Sequence, residues 1–202
     1  MNLPTPTDDP GQGPANRFVG RRRFLAGGAA VTPAVLTLAS QPALANTCFT
    51  PSRSLSKNMS VSQTGKFGTC NGESPGNYKT QITPGTSAYN WPANPTPTTE
   101  FHALFSGRKF VVPVSPTQER SLTLLEVLNL RGNQDPSKVG FHMVGAYLNI
   151  VRGLVPEVVL SLTGLKTIWT EFDLRGYYEP VGGVKWYATD IVTYLQESRI
   201  AP

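Results

Sequence analysis

From about residue 100 to the end of the chain, apolar residues recur with helical spacing, which places the core in that part of the sequence. Ser121 is set to cap a helix through about Leu130, with Leu122, Leu125 and Leu128 on its apolar side and Gly132 as its stop. Asp135-Pro136 opens a second helix, a carboxylate in the cap position and proline in the first helical position, and Gly153 ends it just after Arg152. Between Pro156 and Gly164, the run Val158-Val159-Leu160-Ser161-Leu162 suits either a helix or a strand, because its β-branched residues favour neither decisively. Leu165 to Leu174 forms a fourth segment with Trp169 and Phe172. Tyr177, Tyr178 and Pro180 then lead through Gly182-Gly183 to Trp186, and Thr189-Asp190 begins a terminal helix carrying Ile191, Val192, Tyr194 and Leu195.

Residues 46–99 contrast with this. They are dense in Ser, Thr, Gly, Pro and Asn, with isolated aromatic residues, and read as loop. Ser74-Pro75-Gly76-Asn77 is a turn signal and Asn94-Pro95-Thr96-Pro97 an extended linker. The pattern therefore predicts a mainly α protein: a single compact helical domain, with residues 46–99 wrapped on a helical core at 100–202.

The start of the chain is of another kind. Arg21-Arg22-Arg23-Phe24-Leu25 precedes an uncharged run from Ala26 to Ser40 diluted by Gly27, Gly28 and Pro33, and Ala43-Leu44-Ala45 follows. This resembles a bacterial twin-arginine signal peptide, with cleavage after Ala45. About 15 uncharged residues are too few for a membrane anchor, which needs roughly 20 mainly apolar ones. No second run of spanning length follows, so the expectation is a periplasmic or extracellular protein without a membrane span after cleavage. Cys48 is separated from Ala45 by Asn46 and Thr47, which argues against a lipoprotein.

Removing residues 1–45 from 202 leaves 157, enough for one core. It also removes 4 of the 18 basic and 2 of the 13 acidic residues, so the mature charge is 14 minus 11, or +3. That charge is small and scattered, which leaves no footprint for nucleic acid. Cys48 and Cys70 make an even pair in an exported chain, which favours a disulfide over a pair of metal ligands; the chain's two His sit in no ligand spacing, and no metal or cofactor is expected.

The sharpest polar pattern in the core is Lys138, His142, Gly145, Asn149 and Arg152, whose spacings of 4, 3, 4 and 3 place them on one side of the second helix. As a solvated face it carries no chemistry; with Gly145 opening a notch, His142 and Asn149 would meet a ligand or another chain. Glu126 on the preceding helix offers His142 an acid-base partner, and His142, Glu126 and Asn149 form the alternative catalytic set. No catalytic or phosphate-binding motif accompanies them. Tyr78, Tyr89, Trp91 and Trp186 are candidates for an aromatic binding platform.

Cys70-Asn71-Gly72-Glu73-Ser74-Pro75-Gly76-Asn77-Tyr78-Lys79, Trp91-Pro92, Phe101 to Phe105, Thr123 to Leu128, His142 to Asn149 and Gly183-Val184-Lys185-Trp186 occur in an order that resembles a group of exported bacterial proteins. Those proteins carry a Cys-x-Gly-x-Ser-Pro-Gly-Tyr-Trp-Lys type motif. Here Asn77-Tyr78 replaces its Tyr-Trp, and Gln81 stands where a histidine often follows the lysine. The resemblance implies export and no particular activity. The functional expectation is a non-enzymatic binding or cell-envelope interaction module for an unknown ligand or envelope partner, of unknown oligomeric state; the alternative is a small exported hydrolase centred on His142.

Overall fold

The helix predicted to follow Asp135 is the axis of the fold. In the computed structural model, which describes residues 48–55, 69–80 and 91–202, the chain order is α1 (Pro51–Ser54), α2 (Pro75–Thr80), α3 (Phe101–Leu104), β1 (Val111–Ser115), β2 (Gln118–Ser121), α4 (Leu124–Leu128), α5 (Val139–Val151), α6 (Leu162–Arg175), β3 (Tyr178–Val181), β4 (Val184–Trp186) and α7 (Ala188–Glu197). Helix α5 packs against α2, α4, α6 and α7. Ten of its 13 residues are buried, so it has no water-facing side, as expected of a helix enclosed on all faces.

The mainly α expectation is overturned. Among the described residues 42% are helix and 14% strand, with two small antiparallel sheets beside seven short helices, a mixed α/β fold. Both sheets are two-stranded hairpins. In the first, Val111 lies opposite Ser121 and Pro113 opposite Glu119. Pro113 lacks the N–H a helix interior needs, and the β-branched residues Val111, Val112 and Val114 suit an extended backbone, so local chemistry overrides the apolar spacing. In the second, Tyr178 faces Trp186, and Gly183, at φ 85°, lets the chain reverse between β3 and β4.

Helix starts shift for equally local reasons. Thr123, not Ser121, caps α4: its hydroxyl accepts the Glu126 N–H at 3.3 Å while the Glu126 carboxylate accepts the Thr123 N–H at 2.8 Å. This capping box fixes both groups reciprocally. Ser121 is the last residue of β2. Helix α5 begins at Val139 rather than at Pro136, after Lys138 in left-handed backbone at φ 55°. Asp135 still serves this terminus, its carboxylate accepting the Phe141 N–H at 3.1 Å. The open segment around Val158 resolves into a turn and the start of α6, where Ser161 Oγ accepts the Gly164 N–H at 3.0 Å. Residues 94–97 bend, with Thr99 N–H donating to the Thr96 carbonyl, instead of extending.

The core centres on aromatic rings. Trp169 meets Phe101 edge-on at 4.9 Å and stacks on Phe110 at 5.5 Å, while Phe105 stacks on Phe101 at 4.7 Å. Cys48 and Cys70 are joined in a disulfide closing a 22-residue separation. Among the described residues no helix is long and apolar enough to cross a membrane. Arg21, Arg22, Ala45 and Tyr89 lie outside the described residues.

Candidate functional site

The polar side of α5 is a place of assembly and not a solvated face. Asn149 is fully buried and His142 is 4% exposed. Asn149 uses its whole amide: Oδ1 accepts from the Tyr78 hydroxyl at 2.6 Å and the Glu73 N–H at 3.0 Å, and Nδ2 donates to the carbonyls of Glu73 at 2.9 Å and Ile200 at 2.8 Å. One side chain thus ties the segment after Cys70 and the last residues of the chain to the central helix. Arg152 donates to the Tyr78 hydroxyl at 2.9 Å and pairs with Glu73 at 3.2 Å. Glu73 Oε2 is buried without a hydrogen-bond partner among the described residues.

The notch at Gly145 exists and is filled. A Cβ there would lie 2.4 Å from Pro75 Cγ, so the proline ring sits where a side chain would be. Gly72 is equally constrained, since a Cβ would stand 2.3 Å from the Ile200 carbonyl oxygen. Gly72 N–H also donates to the Arg199 carbonyl, and Asn71 N–H to that of Leu154. The Cys70 to Tyr78 stretch is therefore shaped to seat against α5 and the chain's last turn.

His142 belongs to the same seam. Its Nδ1 lies 2.8 Å from the Ala201 carbonyl, which can only accept, so Nδ1 carries the proton and Nε2 is left to accept a longer contact from the Gln196 amide at 3.4 Å. Burial pushes the imidazole below the ordinary histidine value, and the nearby Lys138 charge adds to this, while the Ala201 bond and Asp135 oppose it. Glu126 is engaged elsewhere, in a two-pronged pair with Arg120 at 2.6 and 2.8 Å. That bond, helped by Thr123, holds its carboxyl down at about 2. His142 and Asn149 share a seam, but Glu126 does not join them.

The aromatic candidates divide. Tyr78 is completely buried, and Trp91 packs edge-on against it at 6.0 Å while donating from Nε1 to its carbonyl at 3.0 Å. Trp186, 6% exposed, packs instead against Tyr178 and Tyr194. Among the described residues, Tyr78 with Trp91 and Trp186 with Tyr178 and Tyr194 pack at two separate places and form no shared open surface.

An open site lies at the first turn of α5. Lys109, Phe110, Gln134, Asp135, Pro136, Ser137, Val139, Phe172 and Ala188 line a mainly apolar groove of about 330 Å³. One wall is the loop Ser106 to Phe110, held by several independent contacts. Trp169 Nε1 donates to the Ser106 carbonyl at 2.9 Å, and Asp173 accepts the Arg108 and Lys109 N–H groups at 2.9 and 3.2 Å. His102 Nε2 donates to the Lys109 carbonyl at 2.7 Å. Two glycines permit it: a Cβ on Gly107 would meet Asp173 Oδ2 at 2.8 Å, and one on Gly140 would meet Phe110 Cζ at 2.4 Å. Phe110 itself takes φ 63°, which for a bulky side chain is a strained conformation costing about 1–3 kcal/mol. Lys138, at φ 55°, adjoins the same groove between Ser137 and Val139.

Asp135 lines the groove and is only 6% exposed. Desolvation raises its carboxyl above the ordinary aspartate value, opposed by the N–H groups of Phe141, Val139 and Gly140. Among the described residues no group of three or more His, Cys, Asp or Glu side chains could hold a metal ion. Sequence reading missed Lys109, Phe110 and Phe172 as a site. The available signal was Ser106-Gly107-Arg108-Lys109, a polar break between two apolar runs, but no sequence rule assigns left-handed backbone to a phenylalanine. Comparison with family models, with curated proteins and with solved structures finds no match to this chain.

Proposed function

We propose that this chain is an exported, non-enzymatic binding module whose ligand or envelope partner is engaged at the groove beside Phe110. The observation that carries the reading is the contrast between a groove walled by a strained, well-fixed loop and a histidine whose two ring nitrogens are both occupied by the protein itself. Backbone strain of this kind clusters where proteins bind ligands. The groove's volume falls at the lower end of the range for small-molecule sites, and its lining, mostly apolar with few polar groups, is also of their kind. The burial of Tyr78 and Trp186 favours this groove over the aromatic platform.

Export rests on the arginine pair, the apolar run and the Ala43-Leu44-Ala45 cleavage site, and the Cys48–Cys70 disulfide suits an oxidising compartment. Intact-mass analysis of the exported fraction tests this half: an oxidised chain starting at Asn46 is expected, and a full-length reduced chain confined to the cytoplasm refutes it. Amide NMR mapping with a fragment library tests the other half. Shifts should gather on Lys109, Phe110, Val139 and Phe172, whereas shifts gathered on His142 and Gln196 would return the site to the α5 seam.

A further inference from the structure

The groove has a sign as well as a shape. The lysine in its lining is Lys109, whose Nζ stands 5.6 Å from the centre of the Phe172 ring, so the ammonium is held at the groove wall over an apolar face. Lys109 forms no ion pair among the described residues. Asp173 accepts the N–H groups of Arg108 and Lys109, and Asp135, which lines the groove, accepts the Phe141 N–H at the start of α5. The Lys109 ammonium, without an ion pair among the described residues, stands beside an apolar trough of Phe110, Val139, Phe172 and Ala188, while the groove's own carboxyl group, Asp135, is only 6% exposed.

We infer that the groove binds a small amphipathic carboxylate, its anionic head on Lys109 Nζ and its apolar body between Phe110 and Phe172. The inference rests on the reading of the groove as the binding site. A cavity of about 330 Å³ is roughly twice the ~150 Å³ that holds benzene in an engineered core, so the ligand has about ten to twelve non-hydrogen atoms. Medium-chain fatty acids and arylalkanoic acids have that size and polarity. Lys109 supplies the charge-assisted bond, and its exposure lets the carboxylate head keep part of its hydration.

The test is an amide NMR titration of the mature, oxidised protein with three matched probes: octanoate, octylammonium and 1-octanol. Octanoate should move the amides of Lys109, Phe110, Val139 and Phe172 saturably, bind more tightly than either other probe, and weaken as salt is raised. Lys109→Met should reduce its affinity by about tenfold, with Lys109→Arg restoring most of it. Both variants change an exposed side chain, and a thermal melt matching the parent's confirms that they fold. Equal or tighter groove binding of octylammonium or octanol, or no loss in Lys109→Met, overturns the anionic ligand class and leaves the groove as the site. Absence of groove shifts with all three probes overturns both.

Discussion

The polar face of α5 and the groove at its first turn contain similar chemistry in opposite states. Along the face, Asn149 makes four hydrogen bonds, His142 two contacts, and the Gly145 notch is filled by Pro75. At the groove, Lys109 has no ion pair among the described residues, and a cavity stands open beside it. Residue type alone does not mark a functional site. A histidine and an asparagine become scaffold when the fold takes up all their hydrogen-bonding groups, and a lysine becomes a candidate when a pinned loop, next to the strained Phe110, holds it against unfilled space.

The comparison breaks first at Asn149. Asn149→Ala strips partners from the Tyr78 hydroxyl, the Glu73 backbone and the Ile200 carbonyl in a buried place, and should cost about 3–5 kcal/mol in urea unfolding. A loss below about 1 kcal/mol would mean the seam is wet and loosely held. Gly145→Ala comes next. Its new methyl would sit 2.4 Å from Pro75 Cγ, an overpacking expected to cost about 1–3 kcal/mol. Trimming the opposing ring in the double variant Gly145→Ala, Pro75→Ala should recover part of the loss, so a thermodynamic cycle with no coupling would place the proline elsewhere. The smallest effect belongs to the groove: Lys109→Met should change unfolding stability by no more than about 0.5 kcal/mol, as an exposed substitution does, while its ligand-binding effect is large. A stability loss approaching that of Asn149→Ala would make Lys109 part of the scaffold as well.

Legibility in the sequence follows the range of the interactions. The terminal helix, the long segment around Trp169 and the Gly153 stop were readable because apolar spacing and end signals lie within a few residues of one another. The Cys48–Cys70 bond is readable from the even cysteine count and the expected export. Both hairpins fall within residues 100–202, where the apolar spacing predicts a helical core, although Pro113 and Gly182-Gly183 carry the signal against it. Of the predicted stripe, His142, Gly145, Asn149 and Arg152 are covered by residues 71–78 and 199–201, far away in sequence, while Lys138 stands exposed ahead of the helix. Helical periodicity tells which residues share a side, and it says nothing of what later arrives to cover that side. The groove was illegible for a related reason: Asp173, Trp169 and His102 converge on the loop from separate elements.

That His142 is a structural tie and not a reactive group is tested by long-range ¹H–¹⁵N NMR of its ring from pH 8 down to pH 5. One fixed tautomer is expected, with the proton on Nδ1 bonded to Ala201, and a titration displaced below the ordinary value of 6.5. Since the folded-state value is lowered, the stability tied to the neutral ring is whole above the unfolded value and is lost as pH falls through the folded one. A ring that exchanges between tautomers and titrates at or above 6.5 would contradict the account and restore His142 as a candidate for chemistry.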